Sequence, residues 1–107
     1  MLVIVGYGDH VKRNIVPALS AMGKRVGYVV VPTKDRVVAF PEAIICHDFA
    51  EAVADHSVSA VYIATPIASH FTYVEAAIRA GKPVLCEKPL TANLRDTTAL
   101  IELASKE

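Results

Sequence analysis

A carboxylate and an amine stand side by side at the end of one apolar run, in Val84-Leu85-Cys86-Glu87-Lys88-Pro89. Two glycines bracket a tyrosine at the end of another, in Leu2-Val3-Ile4-Val5-Gly6-Tyr7-Gly8-Asp9-His10-Val11. A lysine at a strand tip can move a proton: burial lowers its pKa toward the general acid–base range, while the neighbouring Glu87 favours the charged form. Pro89 lacks a backbone donor and ends the strand there. A plain strand-end ion pair is the alternative use of Glu87 and Lys88. The glycines suit a different task. Gly6 and Gly8 permit a tight turn and the close approach of a pyrophosphate, with the N-terminus of the following helix facing the anion. A simple strand-to-helix turn is the bland reading. Val11 stands where a third glycine would pack helix against strand, so a looser fit is expected there.

These residues need a frame that brings their loops to one edge. Short apolar runs at 2–5, 26–31, 43–46, 60–64 and 83–86 alternate with segments of helical period. The runs are too continuous for a half-exposed sheet and suit strands covered on both faces. Over 11–22, the residues Val11, Ile15, Ala18, Leu19 and Met22 share a helical face. Residues 50–54 form a shorter helical segment with Asp48 as cap. Over 69–80 the apolar positions are Val74, Ala77, Ile78 and Ala80, with Ser69 as cap and Gly81 as stop. Asn93 caps a last helix over 94–104, and 32–41 holds at most one helical turn. Strand–helix repeats with short links predict a doubly wound, Rossmann-like parallel sheet of five strands in the order 3-2-1-4-5. The ligand site of such a sheet lies beyond the carboxyl ends of its strands.

Composition narrows the partners. The 107 residues are 53% apolar and 21% charged, with 11 basic and 11 acidic side chains. One domain spanning 1–107 is expected, with an extensive core and no basic block to attract nucleic acid or an anionic membrane. No apolar stretch approaches the roughly 18 residues of a spanning helix. The opening MLVIVGYG has no charged leader, which makes the cytoplasm the default location. Cys46 and Cys86 are expected as buried thiols at strand ends, and no metal site is expected.

The second strand delivers Val31-Pro32-Thr33-Lys34-Asp35-Arg36. No acid sits directly on its end to hold ribose hydroxyls, so Thr33, Lys34 and Arg36 are candidates for a 2′-phosphate, and a solvated surface turn explains them equally well. The fourth strand delivers Ala64-Thr65-Pro66. The stretch VYIATPIASHFTYVEAAIRAGKPVLCEKPLTANL, together with GYGDHVKRNIVPAL, resembles the dinucleotide-binding domain of the Gfo/Idh/MocA oxidoreductases, the glucose–fructose oxidoreductase and inositol dehydrogenase family. The resemblance covers essentially the whole chain. It implies an NADP or NAD cofactor, with Gly6 and Gly8 along the pyrophosphate, Thr65 and Pro66 bordering the nicotinamide half, and Ala64 among the cofactor-binding residues. It further implies that Glu87 and Lys88 face nicotinamide and substrate, with Lys88 catalytic. His70 matches a frequent family histidine; taken alone, a helix-start histidine is more often a cap or a surface residue. Family members continue into a C-terminal substrate domain that is absent here, so the chain reads as a fragment or as a stand-alone module.

Two other classes compete with an oxidoreductase acting on a sugar, polyol or related carbonyl compound. A non-catalytic CoA-binding or redox-sensing module would use the same first turn but has no use for Glu87-Lys88-Pro89. A receiver-like signalling domain needs clustered acids for Mg²⁺, whereas the third strand here is followed by Cys46-His47-Asp48. Without a second domain to cover one side, a homo-oligomer is expected.

Overall fold

The computed structural model describes residues 1–8, 10–31, 42–87 and 91–106. The expectations for Asp9, for the segment 32–41 with Thr33 and Lys34, and for Lys88 and Pro89 lie outside these residues. Strands β1 (Leu2–Val5), β2 (Val26–Val30), β3 (Ile44–Cys46), β4 (Ala60–Ile63) and β5 (Val84–Cys86) form one parallel sheet in the order β3-β2-β1-β4-β5. The order and the parallel pairing are those expected from the sequence.

Alternation along each strand divides the core. Val3, Val5, Val30, Val61 and Ile63 face one side, where α2 (Phe49–Ala54), α3 (His70–Arg79) and α4 (Leu94–Lys106) pack through Phe49, Ala52, Val53, Val74, Ala77 and Leu100. Ile4, Val29 and Tyr62 face the other side, joined by Tyr7 and Val11. Full burial of such side chains contributes about 1.5–3 kcal/mol each, and β1 at the centre carries three of them, Val3, Ile4 and Val5, at 0% exposure.

The outer strands depart from the expected burial. Leu85 in β5 is 66% exposed and Ile44 in β3 is 53% exposed. A continuous apolar run specifies a parallel strand but not whether a neighbour covers it, and both strands are sheet edges.

The first helix departs in register. Val11–Ile15 is a π-helical turn that runs into α1 (Val16–Ala21), and the Val16 N–H returns to the Val11 carbonyl. Pro17 contributes no N–H and crowds the carbonyl four residues before it, a known cause of such wide turns. The extra residue rotates everything downstream. Ile15, Val16 and Leu19 therefore pack against Val11's cluster, while Ala18 and Met22, expected on the same face, are exposed.

Caps set the other boundaries. The Asp48 carboxylate accepts from the Ala50 N–H at 3.0 Å, and the Asn93 side-chain oxygen accepts from the Asp96 N–H at 2.8 Å. Gly81 (φ +74°) closes α3 in a Schellman arrangement, with its own N–H on the Ile78 carbonyl and the Lys82 N–H on that of Ala77. Ser69 does not cap α3 through its side chain. A 3₁₀ turn, Ile67–Ser69, precedes the helix, and the Ser69 hydroxyl is used on Thr65 Oγ1 (2.7 Å) and the Pro66 carbonyl (2.8 Å).

Candidate functional site

The carboxyl ends of all five strands meet at one rim. Each loop continues the ladder by one bond: Gly6 N–H to the Val30 carbonyl, Val31 N–H to Cys46, Ala64 N–H to Val5 and Glu87 N–H to Ile63, all between 2.9 and 3.1 Å. Side chains of the loops are thereby fixed against the sheet before any tertiary bond is counted.

The first turn explains its own glycines. Gly6 has φ +94°, and a Cβ placed on it would lie 2.6 Å from the Ala64 carbonyl oxygen and 3.2 Å from Thr65 Cγ2. The β1 and β4 loops approach too closely there for any side chain. Gly8 is different: a Cβ on it meets nothing within 4 Å. Its missing side chain leaves open space beside the turn, a cradle that a ligand's phosphates would fit and a methyl group would obstruct. Tyr7 is buried beneath the turn with Lys12 Nζ 5.3 Å from its ring centre, and Val11 is 1% exposed. The wide first helical turn accommodates Val11 where a glycine would have allowed closer packing.

A cleft of about 350 Å³ opens beside Gly6, bounded by Val30, Val31, His47, Thr65, Ser69 and Tyr73, with Pro66 at its edge. The β4 loop that walls it is tied down by the Ser69 hydroxyl and by His70. His70 is neither a surface residue nor a cap: it is 1% exposed, and its Nε2 donates to the Thr65 carbonyl at 2.8 Å. It shapes the cleft from below by holding Thr65.

At the other end of the rim, the Glu87 carboxylate gathers three elements. The Tyr62 hydroxyl of β4 donates to Oε2, and His10 Nε2 from the first turn lies 3.2 Å from the same oxygen. Asn14 Nδ2 donates to His10 Nδ1 at 3.0 Å, which leaves the ring proton on Nε2 to donate to Glu87. The Tyr62 hydroxyl bond, aided by His10 and opposed by partial burial, holds the Glu87 carboxyl below its ordinary range. Burial, then the Glu87 carboxylate, pushes the Tyr62 hydroxyl far up. The Cys86 thiol is pushed up to about 11, by burial first and Glu87 second. Glu87 is therefore an ionised acceptor with two donors already on it.

Of the residues singled out in the sequence, Gly6, Tyr7, Gly8, His10, Val11, Ala64, Thr65, Pro66, His70 and Glu87 come together at this rim. Sequence reasoning missed Tyr62, Ser69, Tyr73 and His47. His47 was visible only as one letter after the third strand, yet its Nδ1 donates to the Val31 carbonyl at 2.6 Å.

A doubly wound parallel sheet with a glycine turn and a cleft at its carboxyl rim is the architecture of nucleotide-binding Rossmann domains. Residues 1–107 match the oxidoreductase family with an NAD-binding Rossmann fold, Gfo/Idh/MocA, and the chain belongs to it. It is 35% identical over 105 residues to the dTDP-3,4-didehydro-2,6-dideoxy-alpha-D-glucose 3-reductase of Streptomyces violaceoruber, covering 94% of this chain and 31% of the reductase. It is 32% identical over 112 residues to the NADP(+) D-xylose 1-dehydrogenase of Haloarcula marismortui, covering 96% and 31%. A 3-ketoreductase from Actinomadura kijaniata, solved with NADP and TDP-benzene, superposes with a TM-score of 0.86 at 28% identity, over 98% of this chain and 34% of that one. The chain thus spans about a third of the length of these relatives. Among the described residues no helix is long and apolar enough to cross a membrane.

Proposed function

We propose that residues 1–107 form one dinucleotide-binding domain of a cytoplasmic oxidoreductase that acts on a CH–OH group of a sugar, polyol or related carbonyl compound. The observation that carries this is the first turn: Gly6 locked against the Ala64 carbonyl with the cleft directly beside it, and Gly8 in open space. In this reading the backbone of Gly6, Tyr7, Gly8, Asp9, His10 and Val11 holds the pyrophosphate. Thr33 and Lys34 receive the ribose end, with NADP preferred over NAD because no acid follows Val31. Ala64, Thr65 and Pro66 border the dinucleotide, and His70 keeps Thr65 in place. The nicotinamide supplies hydride acceptance or donation when bound. Glu87 lies at the reacting end, held by Tyr62 and His10, and Lys88 moves the proton at the substrate oxygen. These residues alone bind cofactor without turnover, and the exposed apolar side chains Leu85, Leu94 and Ile101 favour self-association.

Titration with NADPH, NADH and CoA tests the reading. Binding of NADPH, then NADH, without CoA binding is expected; CoA binding alone would overturn it. Lys34→Glu should shift the ratio toward NADH, and an unchanged ratio would remove Lys34 from the account. Light scattering at high concentration should show a dimer or larger species.

A further inference from the structure

We infer that His47, at the end of β3, takes part in reading the 2′ position of the adenine ribose. The inference rests on the dinucleotide reading above. In a doubly wound sheet the residue that discriminates a ribose diol from a 2′-phosphate ordinarily comes from the end of β2, and for a diol it is an acid. Here Val31 is followed by Pro32, Thr33 and Lys34. His47 is an exposed side chain belonging to the next strand, but its Nδ1 donates to the Val31 carbonyl at 2.6 Å. That bond carries the ring across from β3 to the end of β2. The ring also lines the cleft shared with Gly6, Val31, Thr65 and Tyr73, so it stands in the space beside the glycine turn.

The bond to Val31 fixes what the ring can offer. With its proton on Nδ1 committed to a carbonyl, Nε2 is the ring nitrogen left to meet a ligand. With a second proton, Nε2 is a charged donor, suited to a phosphate. Among the described residues no hydrogen bond reaches Nε2. The adjacent Asp48 does not compete for it, because its carboxylate caps α2 on the Ala50 N–H.

The strand tie and the reading function can be separated. In His47→Asn the side-chain amide nitrogen stands near the Nδ1 position and can still donate to Val31, while Nε2 is gone. In His47→Ala both are gone. We expect His47→Asn to melt like wild type and to bind NADP⁺ about tenfold more weakly, a loss of about 1.4 kcal/mol, with NAD⁺ affinity within about twofold. 2′-AMP should weaken in parallel with NADP⁺ and 5′-AMP should not. An unchanged NADP⁺/NAD⁺ ratio in His47→Asn would overturn the inference while leaving the dinucleotide reading intact, and His47 would then be a strand tie only. A wild-type chain that binds neither dinucleotide would remove both.

Discussion

Gly6→Ala and Gly8→Ala should separate the fold's demand for glycine from the ligand's. At Gly6 the backbone sits at φ +94° and the new Cβ would lie 2.6 Å from the Ala64 oxygen, inside the 3.0 Å that real Cβ contacts respect. A non-glycine residue in the left-handed region costs roughly 1–2 kcal/mol, and φ +94° lies beyond the best part of that region. Relieving the overlap moves the Ala64 carbonyl by roughly half an ångström and loosens the neighbouring bonds, Gly6 N–H to Val30 and Ala64 N–H to Val5. Losing the quality of one such bond costs about 1 kcal/mol. Alanine's smaller entropy in the unfolded chain returns about 0.4–1 kcal/mol. The net is a destabilisation of about 1–2.5 kcal/mol, which for a domain of this size lowers Tm by about 4–20 °C. Gly8→Ala meets no atom within 4 Å and needs no positive φ. It should leave Tm within about 2 °C yet weaken NADPH binding by about tenfold or more, at least about 1.4 kcal/mol. Thermal unfolding by circular dichroism and NADPH fluorescence titration read the two effects. A Gly6→Ala protein that melts like wild type would refute the crowding argument, and a Gly8→Ala protein that binds NADPH normally would refute the cradle.

Three further outcomes are expected. Hydrogen bonds from the Ser57 and Tyr28 hydroxyls and the Ser57 N–H, with Lys82 nearby, hold the Asp55 carboxyl at about 2 against its ordinary 3.8. Because the folded value is the lower one, its stabilisation is complete above pH 3.8 and is lost as pH falls toward 2; the difference in urea midpoint between wild type and Asp55→Asn should shrink over that window, and a constant difference would contradict it. Tyr62→Phe should cost about 1 kcal/mol, since Glu87 loses its part-buried donor, whereas His10→Ala should cost no more than about 0.5 kcal/mol, since that pair is largely solvated; urea unfolding that reverses this order would show that the His10 bridge dominates. In the full-length protein, Lys88→Met should abolish most of kcat with cofactor affinity nearly unchanged, and normal turnover would make Lys88 structural.

The sheet was legible because its information is local. Five apolar runs with helical spacers give a parallel order by connection rules alone, and Asp48, Asn93 and Gly81 announced their helix boundaries through cap chemistry. Gly6 and Gly8 were legible as a pair, although only the approach of Ala64 distinguishes a glycine required by the fold from one that leaves space. What escaped was tertiary. Helical period could not foresee that Pro17 and a wide turn would rotate Ala18 and Met22 outward. The apolar run of β5 could not reveal that Leu85 lies uncovered at the edge position the predicted order gives that strand. Tyr62 reads as core in Ala60-Val61-Tyr62-Ile63, and its hydroxyl acquires a partner only when β5 brings Glu87 beside it. His10 and Glu87 are 77 residues apart, and no spacing rule joins them.

The two rims of the sheet differ in a way that bears on function. At the amino end, polar groups are consumed within the protein. The Met1 ammonium donates to the Ser57 carbonyl, Lys82 Nζ donates to the carbonyls of Asp55 and Val58, and the Asp55 carboxylate takes the Tyr28 and Ser57 hydroxyls. Such closure ties strand ends together. At the carboxyl end, some ties use only part of a group's capacity. His47 commits one ring nitrogen to Val31, Glu87 draws both donors to Oε2, and Gly8 presents bare backbone. A side chain that is oriented by one bond and keeps a second valence is the arrangement a binding site needs, because its position is set before the ligand arrives. The pattern explains why an acid sits at the tip of an apolar strand: Glu87 fastens β5 to β4 and to the glycine turn through one oxygen.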